Sequence, residues 1–350
     1  LVTALRGVES ENIAPLSLRS RFSGASPYYT KTGHAKIENF GGQPYGQIDL
    51  LKATASSVNT VYVQLNERVG PENTRKTAVE LGLPADTNSL SDNVANVLGT
   101  AFPHVIDMAT AYSTLAAEGK RTTPYWITSI TRTKDKATLY THSIKAEQVI
   151  DPGVAADAVH AMRQVVEYGS GAYAGNLGRP AAGKTGTSSD NKSAWFVGFT
   201  PQYTTAVAIY RPVNKNGEWI TGEIIPWGGY KEITGGSFPV RVWTKWMRTA
   251  LQGTEVVDFP EPVWGGDVIN PAPPTPSVLP SVSVAPSVDP SGQPTPTDQP
   301  SLPPSEPPLP TASPIPSPTG NGNGNGNGNG NGNGNGNGNG SPPPQPSGTG

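Results

Sequence analysis

The chain has 350 residues, 25 Lys and Arg against 27 Asp and Glu, and no cysteine. A near-neutral balance without a basic stripe argues against nucleic-acid binding. The lack of thiols excludes disulfides and thiolate metal sites, so redox chemistry does not report the compartment.

Composition divides the chain in two. Residues 271–350 hold 22 of the 37 prolines, three acidic residues (Asp289, Asp298 and Glu306) and no basic or aromatic residue. Such a segment cannot bury a core. Its Pro-rich part favours polyproline II, and the ten Asn-Gly pairs from Asn321 to Gly340 favour flexible coil. The division expected is one domain over residues 1–265 and a disordered tail over 266–350. Without the tail's three acids the body carries 25 basic and 24 acidic residues and is long enough for one sizeable mixed domain.

Leu1-Val-Thr-Ala-Leu-Arg-Gly reads as the end of a helix cut from a longer protein. No run of 18 apolar residues follows anywhere in the chain. Lys31-Thr32-Gly33 lies in a polar run and reads as a loop. An apolar period near 3.6 runs from Ile48 to Val69 and is interrupted around Ser56 to Asn59, which places Ser57-Val58-Asn59 at a break between helical stretches. A Ser-x-Asn alone more often caps a helix than carries chemistry. Helical patterns return at Thr74 to Leu83 and Val105 to Glu118, and Ser91-Asp92-Asn93 sits in a polar connection between them.

Tyr125 to Thr133 alternates as a strand. Asp151-Pro152 opens a helix as cap and first residue, with Val159, Met162 and Val166 along one face, and Gly169 to Gly175 breaks it as a loop. The small residues Ala181-Ala182-Gly183 then lead into Lys184-Thr185-Gly186-Thr187. Two runs of β-branched and aromatic residues follow, Ser193 to Thr200 and Tyr203 to Tyr210, turned by Pro201-Gln202. Trp195, Val197 and Phe199 fall on one face and Phe196 and Thr200 on the other, so both faces are covered, as in an inner strand. The order of elements predicts an α+β fold with an antiparallel sheet flanked by helices. The histidines at 34, 104, 142 and 160 lack the spacing of a zinc site and read as surface or structural residues.

Ser57-Val58-Asn59, about 125 residues before Lys184-Thr185-Gly186-Thr187, resembles the second and third active-site motifs of the penicillin-binding proteins. Leu98-Gly-Thr, Met108-Ala-Thr-Ala-Tyr-Ser-Thr-Leu-Ala-Ala-Glu-Gly-Lys, Ala194-Trp-Phe-Val-Gly-Phe-Thr-Pro and Gly235-Gly-Ser-Phe-Pro add to the likeness. The chain is thus similar to the carboxy-terminal part of the transpeptidase domain of a class A, high-molecular-mass penicillin-binding protein over nearly all of residues 1–260. The resemblance implies the serine β-lactamase/penicillin-binding-protein transpeptidase-like fold, incomplete at its N-terminus, and acyl transfer from D-Ala-D-Ala stem peptides through a serine ester. It implies β-lactam binding, no metal or organic cofactor, and a place at the extracytoplasmic face of the membrane or in the cell wall.

By the same resemblance Ser57 passes a proton between a Ser-x-x-Lys lysine and the leaving amine, and Asn59 bonds that lysine and the substrate amide. Lys184 supplies positive potential, the Thr185 and Thr187 hydroxyls hold the terminal carboxylate, Gly186 leaves room for the substrate backbone, and Thr187 N-H serves the oxyanion hole. The only Ser-x-x-Lys present, Ser189 to Lys192, follows the third motif and is out of order, so the nucleophile is expected upstream of Leu1 and the fragment alone inactive. Ser193 stands where the family often has an acidic residue. The alternatives are a β-lactamase or β-lactam sensor, and a non-catalytic wall-binding module whose tail contacts wall polymer.

Overall fold

The computed structural model describes residues 1–271. Its first half comprises helix α1 (Val2–Arg6), strands β1 (Arg21–Ser23), β2 (Tyr28–Tyr29), β3 (Lys36–Ile37) and β4 (Gln47–Asp49), and helices α2 (Leu50–Ala55), α3 (Asn59–Val69), α4 (Pro71–Leu81) and α5 (Val105–Ala116). Strands β5 (Lys120–Arg121), β6 (Ser129–Thr131), β7 (Thr138–Thr141) and β8 (Glu147–Gln148) precede helix α6 (Pro152–Glu167). Strands β9 (Ala182–Thr187), β10 (Ser193–Phe199), β11 (Thr204–Lys215) and β12 (Glu218–Gly222) and helix α7 (Phe238–Ala250) complete it.

The last four strands form one antiparallel sheet in the order β12-β11-β10-β9. Alternation along β10 puts Phe199 on one face, edge-on to Tyr112 of α5 and to Phe259, and Phe196 on the other, edge-on to Trp243 of α7 at 5.2 Å. Both phenylalanines and Trp243 are fully buried, and the indole Nε1 donates to the Gly198 carbonyl at 2.9 Å. Burial of each ring contributes about 2–3 kcal/mol, and the indole donor is not left unpaired. The sheet thus has helices on both faces, as the two-sided apolar pattern predicts.

Helix α6 lies against the Phe199 side. Asp151 Oδ1 accepts from the Gly153 and Val154 amides and Pro152 fills the first turn, as expected. Ala155, Ala158 and Ala161 are buried without bulk, which lets α6 approach both β9 and α2 closely.

Several expectations are corrected. The helical period that begins at Ile48 starts as strand β4, which pairs with β1; Asp49 then caps α2 by accepting from Lys52 N. Helix α4 begins three residues before Thr74, at Pro71, whose fixed φ suits a first helical turn. Only Ser129–Thr131 of the expected strand 125–133 is a strand. It pairs with β7 alone and both strands are exposed, with Trp126 standing 87% accessible, so no second layer rewards further extension. The loop expected over 169–175 runs into a 3-10 helix, Ala172–Leu177.

The packed chain also continues past residue 265. Ser17 N and Arg21 N donate to the carbonyls of Asp267 and Ile269, and Asp267 N donates to Pro15 O. The expected start of the tail at 266 is therefore too early; its remainder, from residue 272, lies outside the described residues.

The carboxylate of Asp157, buried in α6, anchors this segment by accepting from Trp264 N and Gly265 N at 2.9 Å each. Asp157→Ala leaves both part-buried amides unpaired and is expected to cost about 2 kcal/mol, read as a lowered urea midpoint, with Asp157→Asn costing less because one acceptor oxygen remains.

Candidate active site

Helix α2 ends in a left-handed turn. Ser57, at φ 54°, donates its N-H to Thr54 O at 3.2 Å, and Val58 N reaches Ala53 O at 2.9 Å. Glycine normally fills that position, because a Cβ in the left-handed region costs about 1 kcal/mol. A serine held there presents its hydroxyl outward from the break between α2 and α3, and such local strain gathers at functional positions. Asn59 opens α3 two residues on, where its amide donates to the Glu38 carbonyl at 3.0 Å.

Opposite this turn runs β9, held by β10 in the register Thr187↔Ala194, Thr185↔Phe196. Lys184 Nζ donates to Ser57 Oγ at 2.6 Å and to Thr185 O at 3.0 Å. Desolvation by burial pushes the Lys184 ammonium down to about 8. It forms no ion pair among the described residues.

Thr185 Oγ1 lies 2.6 Å from Ser170 Oγ, and Thr187 Oγ1 accepts from Gly235 N at 3.2 Å. The 234–237 loop lies against the sheet here: a Cβ on Gly235 would stand 2.2 Å from Trp195 O and 2.7 Å from Gly186 O, so only glycine fits. Gly186 itself faces its partner Trp195, whose Cβ would be 3.3 Å from an added Cβ. That glycine has a packing reason within the chain besides the one expected from the resemblance.

The structure thus joins Ser57 and Lys184 and aligns Thr185, Gly186 and Thr187 along one strand. Asn59 is beside them in sequence but its amide turns to Glu38 and makes no hydrogen bond to Lys184. The other copies of these strings serve local structure. Lys31-Thr32-Gly33 is the turn between β2 and β3, tied down by Lys31 N to Glu67. Asn93 bonds Ser91 while Asp92 pairs with Arg75. Ser189 to Lys192 forms the connection between β9 and β10, where Lys192 pairs with Asp190.

Among the described residues no three His, Asp or Glu side chains gather as metal ligands, and no helix is long and apolar enough to cross a membrane. An ammonium bonded to a serine hydroxyl, with two threonine hydroxyls following it on the same strand, can relay a proton and bind an anion.

A profile of the penicillin-binding protein transpeptidase domain matches residues 23–224. The chain belongs to this family.

It is 32% identical over 269 residues to penicillin-binding protein 1A of Mycolicibacterium smegmatis, covering 70% of this chain and 33% of that protein. The 1A protein of Mycobacterium tuberculosis is 32% identical over 247 residues, covering 65% and 29%. The chain therefore spans about a third of the length of the curated relatives it matches. The structure of PonA1, a penicillin-binding protein of Mycobacterium tuberculosis, superposes with a TM-score of 0.64 at 28% identity over 80% of this chain and 75% of that one. PonA1 in complex with penicillin V gives 0.61 and 29%, covering 78% and 73%. The class A type of penicillin-binding protein read from the sequence agrees with these 1A relatives, and the α+β fold agrees with their transpeptidase domains.

Sequence reasoning missed Ser170 as a neighbour of Thr185. Gly235-Gly-Ser-Phe-Pro stands out in the sequence, but nothing in it signals the close approach of Gly235 to Trp195 and Gly186. The only local signal for the first is Gly169-Ser170-Gly171, two glycines around a hydroxyl just past a helix end.

Ser57→Gly and Ser57→Ala both remove the hydroxyl, but only glycine relieves the left-handed backbone. The glycine variant is expected to unfold at a higher urea midpoint than the alanine variant, by about 1 kcal/mol.

Proposed function

We propose that the protein is a peptidoglycan cross-linking D,D-transpeptidase that works through a serine ester and is acylated by β-lactams. The observation that carries this reading is the 2.6 Å contact of Lys184 Nζ with Ser57 Oγ, which joins two family motifs 127 residues apart. The penicillin V complex of its relative PonA1 is consistent with it.

In this reading a serine from a Ser-x-x-Lys segment outside these 350 residues attacks the carbonyl carbon of the penultimate D-alanine. The bond to the terminal D-alanine breaks, and its amine takes a proton relayed through Ser57. An acceptor amine then attacks the ester and restores the serine hydroxyl. Asn59 holds the motif lysine and the substrate amide through its side chain. Lys184 and the Thr185 and Thr187 hydroxyls bind the terminal carboxylate of the donor, and Thr187 N-H stabilises the tetrahedral oxyanion with the serine's own amide. The substrate backbone lies along β9 as an added strand near Gly186. Because Ser189 and Lys192 lie in the β9–β10 connection, the 350-residue chain alone is not expected to form the ester. The domain works outside the cytoplasmic membrane, and wall polymer is the partner proposed for the Pro-rich and Asn-Gly tail.

Penicillin acylation of the full-length protein tests the assignment. Lys184→Ala is expected to slow acylation roughly 100-fold and Thr187→Val roughly ten-fold or more, the worth of charge-assisted hydrogen bonds to a carboxylate. Unchanged rates in both would remove these residues from the site.

The lowered pKa gives a second test. Below about pH 8 Lys184 is cationic and attracts the carboxylate, and above it the charge is lost. Acylation is expected to fall as pH rises through about 8, and Lys184→Arg, whose charge persists, is expected to lose that alkaline limb even if its overall rate is lower. An identical limb in the arginine variant would assign the titration to another group.

A further inference from the structure

Ser170 lies where three parts of the site meet. After α6 ends at Glu167, the turn Gly169-Ser170-Gly171 crosses the end of α2: Ser170 N donates to Ala55 O at 3.1 Å, and Gly171 N returns to Val165 O at 3.0 Å. Glycine at 169 makes the crossing possible, since a Cβ there would fall 2.3 Å from Ala55 O. Ala55 is the last residue of α2, two positions before Ser57.

On its other side Ser170 Oγ meets Thr185 Oγ1 of β9 at 2.6 Å, and its carbonyl lies against Gly236, where an added Cβ would be 2.5 Å away. Ser170 therefore touches the turn that carries Ser57, the strand that carries Lys184 and the loop that holds Thr187. It is exposed, so the hydroxyl pair opens to solvent.

A hydroxyl has one proton to donate and two lone pairs. When two hydroxyls share one hydrogen bond, one proton lies between them and the other is left to point away. Neither Ser170 Oγ nor Thr185 Oγ1 makes another hydrogen bond among the described residues. If Ser170 donates, Thr185 keeps its own proton for a ligand and is held in one orientation while it waits.

We propose that Ser170 is a positioning residue for anion binding: it donates to Thr185 Oγ1 and thereby aims the Thr185 hydroxyl at the carboxylate of the incoming donor. This rests on the reading of Thr185 as a carboxylate-binding hydroxyl. Ser170 acts through Thr185, so its effect belongs in ligand capture and not in the chemical step.

The test is penicillin acylation of the full-length protein, with the half-saturating concentration and the limiting rate measured separately. Ser170→Ala is expected to raise the half-saturating concentration about ten-fold, the value of one ordinary hydrogen bond, with the limiting rate near that of the parent. Ser170→Thr, which keeps the hydroxyl, is expected to stay within about two-fold of the parent. In a Thr185→Ala background, Ser170→Ala is expected to change neither constant further, because the two residues act as one unit.

An equal loss in both backgrounds, or a loss shared by both constants with a lowered unfolding midpoint, would make Ser170 merely structural and overturn the proposal. Normal acylation of the parent with an unaffected Ser170→Ala variant would overturn it while leaving the transpeptidase reading intact. A full-length parent that penicillin does not acylate would overturn both.

Discussion

The hydrogen bond from Lys184 to Ser57 is the constraint on which the rest of this structure turns. It ties a break between two helices to a strand of the sheet, so the left-handed end of α2, the register of β9 on β10 and the packing of α6 between them must all hold for it to form. The lysine must be dry enough to act over a short distance and yet remain cationic near neutral pH. Burial alone lowers its pKa, and it has no acidic partner among the described residues. A carboxylate beside it would raise the pKa but would also cancel the field that an anionic ligand needs.

Helix α6 acts as the frame for this contact. Its alanines let it sit close to both α2 and β9, its Asp157 clamps residues 264 and 265, and the turn after it threads between Ala55 and Thr185. One helix thereby sets the separation of the two walls of the groove. A bulkier residue at 155, 158 or 161 would move the walls apart without touching any residue of the site.

The sequence made the local pieces legible. β-branched and aromatic alternation marked β10 and β11, Asp151-Pro152 marked the start of α6, and the interrupted helical period marked Ser57 as a break and not a mid-helix serine. Tyr125 to Thr133 alternates as well as a strand should, yet alternation reports only the capacity to pair; whether a second layer exists to cover it is decided elsewhere in the fold. Residues 266–271 read as the start of a tail because nothing in Gly266-Asp267-Val268-Ile269-Asn270-Pro271 encodes that its backbone will bond residues 15–21. Ser170 was hidden for the same reason, since its partner is fifteen residues away on another element.

Two local penalties meet at the ends of one hydrogen bond. A non-glycine residue occupies a left-handed turn at Ser57, and a half-buried ammonium, its pKa lowered by desolvation, stands without an anionic partner among the described residues at Lys184. A structure shaped for stability alone would relax either one. For capture of an anion both are useful, because the strained turn fixes the hydroxyl and the desolvated ammonium gains more from a negative ligand than a hydrated one does. The gain is reciprocal. A carboxylate in the groove stabilises the charged lysine and so raises its pKa, which means that an occupied site keeps its ammonium at pH values where an empty one has begun to lose it.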